Sequence, residues 1–334
     1  MMQSFWKKLA KPIFVLAPMA NVTDAAFRQM FARYGKPDVL FTEFVSVEGL
    51  LSAGRERLLV DFWFEPNEHP IVAQIFGSKP EQFSEVAALI AELGFDGIDI
   101  NMGCPDKNVE KQGGGAALMK DPELAREIIR ATKRGGQGLP VSVKTRIGYR
   151  TNQIEEWLPY LFGEDLAALT VHLRTRQEMS DVAAHWELAP EIVALRDRLA
   201  PQTVILGNGD VETLDEARQK VEETGIEGVM IGRGAFGKPW FFSEHEPPLA
   251  DRLGQLLEHT ELFEKLFIAY PQTKGQHPYK SFEVMKKHFK AYVIGSSGAK
   301  ELRTVLMTAG TVTQVQHIIE DFFHKERVYH SLSC

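Results

Sequence analysis

The chain has 334 residues, of which 44% are hydrophobic and 25% are charged, as in an ordinary globular protein. Its two cysteines, Cys104 and Cys334, are too few for a disulfide framework, and no apolar run reaches the roughly 20 residues that span a membrane. The first twelve residues lack the apolar core of a signal peptide, so we expect a cytoplasmic protein. The net charge of -7, taken alone, argues against a nucleic-acid partner.

Short apolar segments separated by stretches of helical periodicity predict a repeated strand–helix unit. The predicted strands begin near Ile13, Val39, Ile71, Gly97, Val141, Ala168, Val204 and Gly228. Eight such units match a (β/α)₈ TIM barrel, whose typical size is about 250 residues. A doubly wound parallel sheet is the alternative fold. The barrel is favoured because polar residues and glycines follow nearly every strand, where a barrel builds its site.

The predicted strand ends carry most of the residues that could do chemistry. In chain order they are Pro18, Met19 and Ala20, then Gln74, then Asn101 and Cys104, then Lys144 and Arg146, then His172 and Arg174, then Asn208, Gly209 and Asp210, and finally Gly232, Arg233 and Gly234. The carboxyl ends of barrel strands face the same way, so we expect these residues to converge on one mouth.

Cys104 follows the fourth predicted strand, in a turn where Gly103 and Pro105 end the alternating apolar run. A lone cysteine is usually a small buried hydrophobe, but this polar turn favours a functional thiol. With an ordinary pKa of about 8.5, the thiol is mostly protonated at neutral pH and can donate a proton. No metal site is expected, because no second cysteine or histidine lies at ligand spacing.

The last two predicted strand ends favour a phosphate site. Loops after strands seven and eight of a barrel commonly bind phosphate through glycine amides and a helix N-terminus. Gly209, Gly232 and Gly234 allow close approach, and Arg233 could bind a phosphate with two parallel hydrogen bonds.

Three polar residues on predicted interior strands have more than one interpretation. Lys144 needs an anion or a cofactor dipole, and the alternatives are an ion pair with Asp99 or Asp210 and a Schiff-base lysine. Gln74 and Asn101 carry amides that could bind the edge of a flat heteroaromatic ring, or could hold the barrel together.

Seven motifs, in order, resemble those of the tRNA-dihydrouridine synthases, flavin enzymes of the barrel class, from about Ile13 to near Phe323. They are Ala17-Pro18-Met19 with Thr23-Asp24, Gln74-Ile75-Phe76-Gly77, Asn101-Met102-Gly103-Cys104-Pro105, Gly113-Gly114-Gly115-Ala116-Ala117-Leu118, Val143-Lys144-Thr145-Arg146-Ile147-Gly148, Gly207-Asn208-Gly209-Asp210 and Met230-Ile231-Gly232-Arg233-Gly234. The chain departs from the family at Leu173, where glycine is more usual and a leucine adds bulk at a turn facing the site.

The resemblance implies reduction of the C5–C6 double bond of uridines in tRNA, driven by NADPH through FMN. Hydride would pass from FMN N5 to C6, and Cys104 would give a proton to C5. The implied FMN contacts are Pro18, Met19, Ala20, Gln74, Lys144 and His172, with Asn208, Gly209, Asp210, Gly232 and Arg233 at the phosphate and ribityl end. Asn101 and Arg174 would contact the substrate.

The C-terminal part predicts a small helical bundle, so that residues 1–240 form the catalytic barrel and residues 241–334 a tRNA-binding domain. A linker is predicted from about Trp240 to Leu257, helical stretches near residues 251–269, 281–294, 300–308 and 311–323, and a loose polar tail from His324.

This region concentrates positive charge. The segment from Lys274 to Arg303 contains seven basic and two acidic residues. Its net charge is therefore +5, in a chain whose net charge is -7. Apolar residues at helical spacing, Phe282, Met285, Phe289 and Tyr292, predict a buried stripe, and Lys286, Lys287 and Lys290 lie off it. We expect these three lysines and Arg303 to contact tRNA, although an ordinary solvated helix face has the same pattern. No membrane and no obligatory protein partner are implied.

Three rival functions remain open on the sequence. A small-molecule flavin enzyme resembling dihydroorotate dehydrogenase would share the phosphate site but would not need the basic helices. A non-catalytic RNA-binding barrel would not need Cys104 and Lys144 together. A Schiff-base aldolase would use Lys144, and borohydride would trap its intermediate.

Overall fold

The computed structural model describes residues 4–243, 245–295 and 298–332, with side chains to residue 325. The chain forms two compact units. The first comprises Met1–Ala25 and Pro37–Gly234, and the second comprises Ala26–Lys36 and Ala235–Cys334. These limits differ from the predicted division after residue 240, because a segment near the N-terminus belongs to the second unit.

The first unit contains a parallel sheet. Its strands, within the described residues, are β1 Ile13–Leu16, β2 Leu40–Phe41, β3 Val45–Ser46, β4 Ile71–Phe76, β5 Gly97–Asn101, β6 Val141–Arg146, β7 Ala168–His172, β8 Val204–Asn208 and β9 Gly228–Ile231. The order is β1-β9-β8-β7-β6-β5-β4-β2, with β3 paired to β4. A parallel bridge between Val15 and Val39 joins the two ends of this order and closes the ring. The predicted TIM barrel is confirmed; only the two-residue β3 lacks a counterpart among the eight predicted strands.

Helices alternate with the strands as the barrel requires. The α-helices of the described chain are α1 Ala25–Tyr34, α2 Val47–Leu50, α3 Arg55–Leu59, α4 Pro80–Glu92, α5 Lys107–Lys111, α6 Pro122–Gly135, α7 Ile154–Phe162, α8 Ala189–Leu199, α9 Leu214–Thr224, α10 Leu249–Phe263, α11 Tyr270–Thr273, α12 Glu283–Val293, α13 Ala299–Leu306 and α14 Val312–Leu332. None of the described helices has the length and apolarity that a membrane crossing requires.

An N-terminal 3₁₀ helix, Phe5–Lys8, closes one end of the barrel. Its Trp6 is 1% exposed and packs in the cluster of interior residues that includes Val15, Phe41 and Met230. The neighbouring Phe5 lines a groove with residues that precede β6 and β7, so this helix covers the amino ends of the strands. The carboxyl ends are left to form the site.

The second unit has a buried core made by α1 together with the C-terminal helices. The predicted apolar stripe of α12 is buried, with Phe282 9% exposed and Met285, Phe289 and Tyr292 fully buried. Phe27 of α1 stacks on His259 of α10, with ring centroids 5.1 Å apart.

Two predictions about the C-terminal backbone are wrong. The linker was expected to extend to Leu257, but α10 begins at Leu249, directly after Pro248. Proline is tolerated before the first helical turn, and burial of Leu253 and Leu256 stabilises the helix. The tail expected to be loose from His324 is helical to Leu332. Ser333 and Cys334 lie outside the described residues.

A π-helix, Glu264–Ala269, connects α10 to α11. The cause is visible in the sequence, because Pro271 has no N–H to donate to the carbonyl of Phe267. The N–H of Tyr279 donates to that carbonyl instead, at 2.8 Å.

Candidate active site

A cavity of about 310 Å³ lies at the carboxyl ends of the barrel strands. Predicted site residues that line it are Pro18, Met19, Lys144, His172, Arg174, Asn208, Gly209, Asp210, Gly232 and Arg233. Ala20, Gln74, Asn101 and Cys104 are not among its lining residues, although Pro105, next to Cys104, is.

Lys144 and Arg146 enter this pocket from one strand, β6, because residues two apart on a strand share a face. Desolvation, followed by the charge of Arg146, lowers the pKa of Lys144 to about 8, while the charge of Asp99 acts in the opposite direction. The Lys144 ammonium donates to Asn208 Oδ1 at 3.0 Å. It forms no ion pair with Asp99 or Asp210 within the described chain, so the geometry does not support that alternative.

His172 presents a neutral ring to the pocket. Arg174 Nη1 donates to His172 Nε2 at 3.1 Å, and a guanidinium can only donate, so the network places the ring proton on Nδ1. Desolvation, followed by the positive charges of Lys144 and Arg146, keeps the pKa of His172 well below its usual value. His172 is therefore a neutral hydrogen-bond donor near pH 7.

The Asp210 carboxylate accepts hydrogen bonds from two arginines, Arg174 and Arg233. Arg174, only 2% exposed, donates to Asp210 and, at 2.7 Å, to the carbonyl of Val182. Arg233, whose side chain is 68% exposed, donates to Asp210 Oδ1 at 2.6 Å. Although burial acts to raise the pKa of Asp210, the N–H of Ala184 and the two arginines bring it below its usual value. The Asp210 carboxylate thus orients cations, and any phosphate contact at this position falls to the backbone.

Gly209 brings the backbone close to the pocket. Its φ of +134° is a conformation that favours glycine, and an added Cβ would lie 2.7 Å from Ala184 Cβ. This agrees with a loop whose amides approach a ligand directly.

The turn at Cys104 is held by hydrogen bonds to its backbone. Asn101 Oδ1 accepts from the N–H groups of Gly103, at 3.2 Å, and Cys104, at 2.9 Å. The carbonyl of Cys104 accepts from Ala116 at 2.9 Å. Gly115 permits this approach, because a Cβ there would lie 2.7 Å from the Cys104 carbonyl oxygen.

The Cys104 thiol is free and half-buried. Burial raises its pKa, while a backbone hydrogen bond from Asp106 and the charges of Lys144 and Arg146 act in the opposite direction. The net pKa is above its ordinary value, so the thiol is protonated at neutral pH.

Gln74 lies beneath the pocket, in a buried hydrogen-bonded network. Its Nε2 donates to Asp99 Oδ2 at 2.7 Å, and its Oε1 accepts from Asn101 Nδ2 at 3.0 Å. Ser142 Oγ donates to Asp99 Oδ1 at 2.6 Å. Burial raises the pKa of Asp99 to about 6, against the hydrogen bonds from Ser142 and Gln74. The structure therefore favours the structural interpretation of both amides.

The sequence placed Arg146 at the barrel mouth but assigned it no role, and it misplaced Leu173. A shared role with Lys144 could have been inferred from the spacing, because Arg146 lies two residues after Lys144 on the same strand. Leu173 was expected to add bulk facing the site. It is 1% exposed and absent from the pocket lining, and its backbone bonds to Asn208 and His185.

The predicted RNA contacts belong to the helical unit. Lys287 and Lys290 are exposed on α12, whereas the side chain of Lys286 is 19% exposed and pairs with Glu283 at 2.6 Å. Arg303 is half-buried on α13.

Comparisons with known proteins assign the sequence to a family. The model of the dihydrouridine synthase family matches residues 15–326. A probable tRNA-dihydrouridine synthase of Staphylococcus aureus (strain Mu50) is 43% identical over 328 residues, covering 96% of each chain. Probable tRNA-dihydrouridine synthase 2 of Bacillus subtilis (strain 168) is 43% identical over 327 residues, covering 97% of this chain and 98% of that protein.

Solved structures resemble the chain in fold alone. The 6-hydroxypseudooxynicotine amine oxidase of Pseudomonas geniculata N1 has a TM-score of 0.52 at 13% identity, over 81% of this chain and 54% of that one. Histamine dehydrogenase from Rhizobium sp. 4-9 has a TM-score of 0.50 at 10% identity, over 75% and 48%. The family match, together with the curated relatives, establishes that the chain belongs to the dihydrouridine synthase family and is an oxidoreductase.

Proposed function

We propose that this protein is a tRNA-dihydrouridine synthase that uses FMN and NADPH to reduce the C5–C6 double bond of uridines in tRNA. The observation that carries the proposal is the position of the free thiol of Cys104 at the barrel mouth. Its neighbour Pro105 lines a cationic pocket there, and burial raises the pKa of the thiol, which keeps it protonated. Family membership and the names of the relatives support the substrate.

The pocket residues fit a flavin mononucleotide. A cavity of about 310 Å³ is at the lower end of the range for small-molecule sites. Lys144 and Arg146 have no carboxylate partner among the described residues, so the pocket favours an anionic ligand. The amides of the loops at Gly209 and Gly232, with the exposed Arg233, would hold the phosphate. Asn208 and Asp210 would orient the cations there.

The remaining cofactor contacts follow from the same placement. Pro18 and Met19 line the pocket after β1, and Ala20 is exposed beside them. His172 would donate from Nδ1 to an acceptor on the ring system. Gln74 would act through Asn101, because the nitrogen of its side-chain amide already donates to Asp99 and the oxygen already accepts from Asn101.

The protein's own groups would manage charge and protons. FMN, when bound and reduced, would supply the hydride that is added to C6 of uracil. Negative charge then develops at C5, and Cys104 would neutralise it with its proton. Lys144 would stabilise the negative charge of the reduced ring system. The raised pKa of Cys104 keeps its proton on sulfur until that moment.

A uridine in folded tRNA must leave its stack to enter the pocket, so binding energy has to come from elsewhere on the RNA. Exposed cations on α12 are the residues proposed to supply it. Lys287 and Lys290 should matter most, because the ammonium of Lys286 is already paired with Glu283. Arg303 is a secondary candidate.

The triple variant Lys286→Ala/Lys287→Ala/Lys290→Ala should bind tRNA more weakly while keeping its flavin. We expect the slope of log affinity against log salt to fall in magnitude by about 2, for two lost phosphate contacts. Filter binding at several salt concentrations measures this slope. The matched control is Lys7→Ala/Lys8→Ala/Lys11→Ala, which removes the same charge from lysines exposed at the amino end of the barrel. Equal slopes for both triple variants would exclude these α12 lysines as phosphate contacts.

Arg233→Ala should weaken FMN binding by at least about tenfold, because a charge-assisted hydrogen bond to phosphate is lost. Riboflavin, which has no phosphate, is the matched ligand. Titration by flavin fluorescence should show riboflavin affinity unchanged within about twofold. A parallel loss for both flavins would mean that Arg233 acts through the structure of the loop.

The proposed function is tested by mass-spectrometric mapping of dihydrouridine in tRNA from cells that lack this protein. We expect at least one dihydrouridine to disappear and to return on complementation. A complete set of dihydrouridines in those cells, with turnover of free uridine by the purified protein, would favour a small-molecule flavin enzyme.

A further inference from the structure

We infer that Arg146 and Asn101 are positioning residues for Cys104, because together they hold the Gly103–Cys104 peptide group from its two sides. This inference rests on the proposed role of Cys104 as proton donor. It gives Asn101 a different task from the substrate contact that the sequence suggested.

The two side chains bind opposite polar atoms of one peptide. Arg146 Nε donates to the Gly103 carbonyl at 2.9 Å, and Asn101 Oδ1 accepts from the Cys104 N–H at 2.9 Å. A peptide group is planar, so fixing both its oxygen and its nitrogen fixes its plane. The following peptide is held by Ala116, whose N–H donates to the Cys104 carbonyl. The direction of the Cys104 Cα–Cβ bond is thereby set.

The guanidinium of Arg146 is buried and donates to three backbone carbonyls. It is 6% exposed, and its Nη1 donates to the carbonyls of Thr175, at 3.0 Å, and Met179, at 2.9 Å. Among the described residues it forms no ion pair, so its partners are three carbonyls in two different loops. A planar fork can serve all three acceptors, whereas the point charge of a lysine cannot.

The orientation of the Asn101 amide is fixed from below. Its Nδ2 donates to Gln74 Oε1, and Gln74 Nε2 donates to the Asp99 carboxylate. A carboxylate is an acceptor, so it determines which end of Gln74 faces it, and Gln74 in turn determines which end of Asn101 faces Cys104. Reversing Asn101 would point its NH₂ group at the Cys104 N–H.

The test separates the geometry of Arg146 from its charge, in a Cys334→Ser background where Cys104 is the remaining thiol. Arg146→Lys keeps the charge but loses the fork, and Arg146→Met loses both. We expect both variants to slow oxidation of the reduced enzyme by tRNA by about 10²-fold, the cost of a misplaced reacting group. The Kd for tRNA should change far less than this rate, staying within about twofold.

Alkylation of Cys104 by iodoacetamide, followed against pH, gives a readout that needs no substrate. Arg146→Met should move the midpoint of this profile upward, because a cation near the thiol is lost, and Arg146→Lys should leave it in place. Full activity in Arg146→Lys would overturn the positioning role, since charge alone would then suffice. A loss of tRNA affinity matching the loss of rate would also overturn it.

Asn101→Ala provides a second route should the Arg146 variants fold poorly. It should slow the same tRNA-dependent step by about 10²-fold, and the double variant Asn101→Ala/Arg146→Lys should be little slower than either single one. Additive losses would show that the two residues do not act on one peptide. If Cys104→Ala were fully active, the proposed function of the thiol would fail, whereas full activity of both Asn101→Ala and Arg146→Lys, with Cys104→Ala inactive, would count against the clamp alone.

Discussion

Cys104→Ala should retain its flavin and its reduction by NADPH, yet oxidation of the reduced enzyme by tRNA should slow by about 10²- to 10⁴-fold. The thiol lies outside the residues that line the pocket, so its loss leaves the cofactor contacts intact. What is lost is the proton that neutralises charge at C5 of uracil. Stopped-flow absorbance of the flavin separates the two half-reactions, because only the second requires tRNA.

Two variants make this result specific. Cys104→Ser replaces the thiol with a smaller hydroxyl, whose proton is far less acidic, so the slow phase should persist. Cys334→Ser removes the other cysteine and should behave like the unaltered protein. Unimpaired tRNA reduction by Cys104→Ala would remove Cys104 from the mechanism.

The second large effect is expected on stability in acid, and it arises in the core of the helical unit. His288 is fully buried between Phe27 and Phe236, with ring centroids 4.6 and 4.9 Å away, and neither of its nitrogens has a hydrogen-bond partner among the residues that the structure describes. The ring of His259 is also fully buried, and its centroid lies 4.7 Å from that of His288. Desolvation, with a smaller contribution from the charge of Lys287, lowers the pKa of His288 to about 3.

The direction of the pH effect follows from proton uptake. An unfolded histidine titrates near pH 6.5, whereas His288 in the folded unit stays neutral down to about pH 3. The unfolded state therefore binds more protons between these values. The contribution of neutral His288 to the free energy of unfolding is fully present above pH 6.5 and is lost as the pH falls toward 3. By pH 4 the loss from His288 alone is about 3 kcal/mol, and His259, whose pKa is also well below normal, adds to it.

His288→Phe should weaken this acid sensitivity and raise the stability at neutral pH. It removes two unpaired buried nitrogens, each of which costs about 1–3 kcal/mol, and keeps an aromatic ring between Phe27 and Phe236. Calorimetry at pH 7 and pH 4.5 measures both effects. His317→Asn is the control, because that side chain is 71% exposed. An identical fall in Tm with pH for His288→Phe and the unaltered chain would show that the buried pair does not govern it.

The fold could be predicted because its signals are local. Each barrel strand is a short apolar segment followed by glycine or a polar turn, and eight such segments define a closed ring. The position of Gly209 and Gly232 in the pocket could be predicted for the same reason, since both follow the last two strands of the barrel.

The division of labour within the site could not be predicted in this way. A sequence shows that Gln74 and Asn101 carry amides on interior strands, but not whether those amides point up to a ligand or sideways to Asp99. Likewise Arg146 is visible as a cation, whereas its partners are carbonyls of Gly103, Thr175 and Met179, which leave no mark on the sequence. Hydrogen bonds to backbone atoms place no demand on the identity of the residue that accepts them.

Helix α1 has a consequence for how this protein is made and divided. Residues 26–36 belong to the helical unit, where Phe27 stacks on His259 and where Arg33 and Tyr34 both bind Glu258. That unit is therefore discontinuous in the gene, because residues 37–234 of the first unit are translated between its two segments. During synthesis α1 cannot pack into its unit until the last third of the chain has been translated. A C-terminal fragment expressed alone would lack part of its own core. Exchange of this helical unit between relatives would have to carry both segments together.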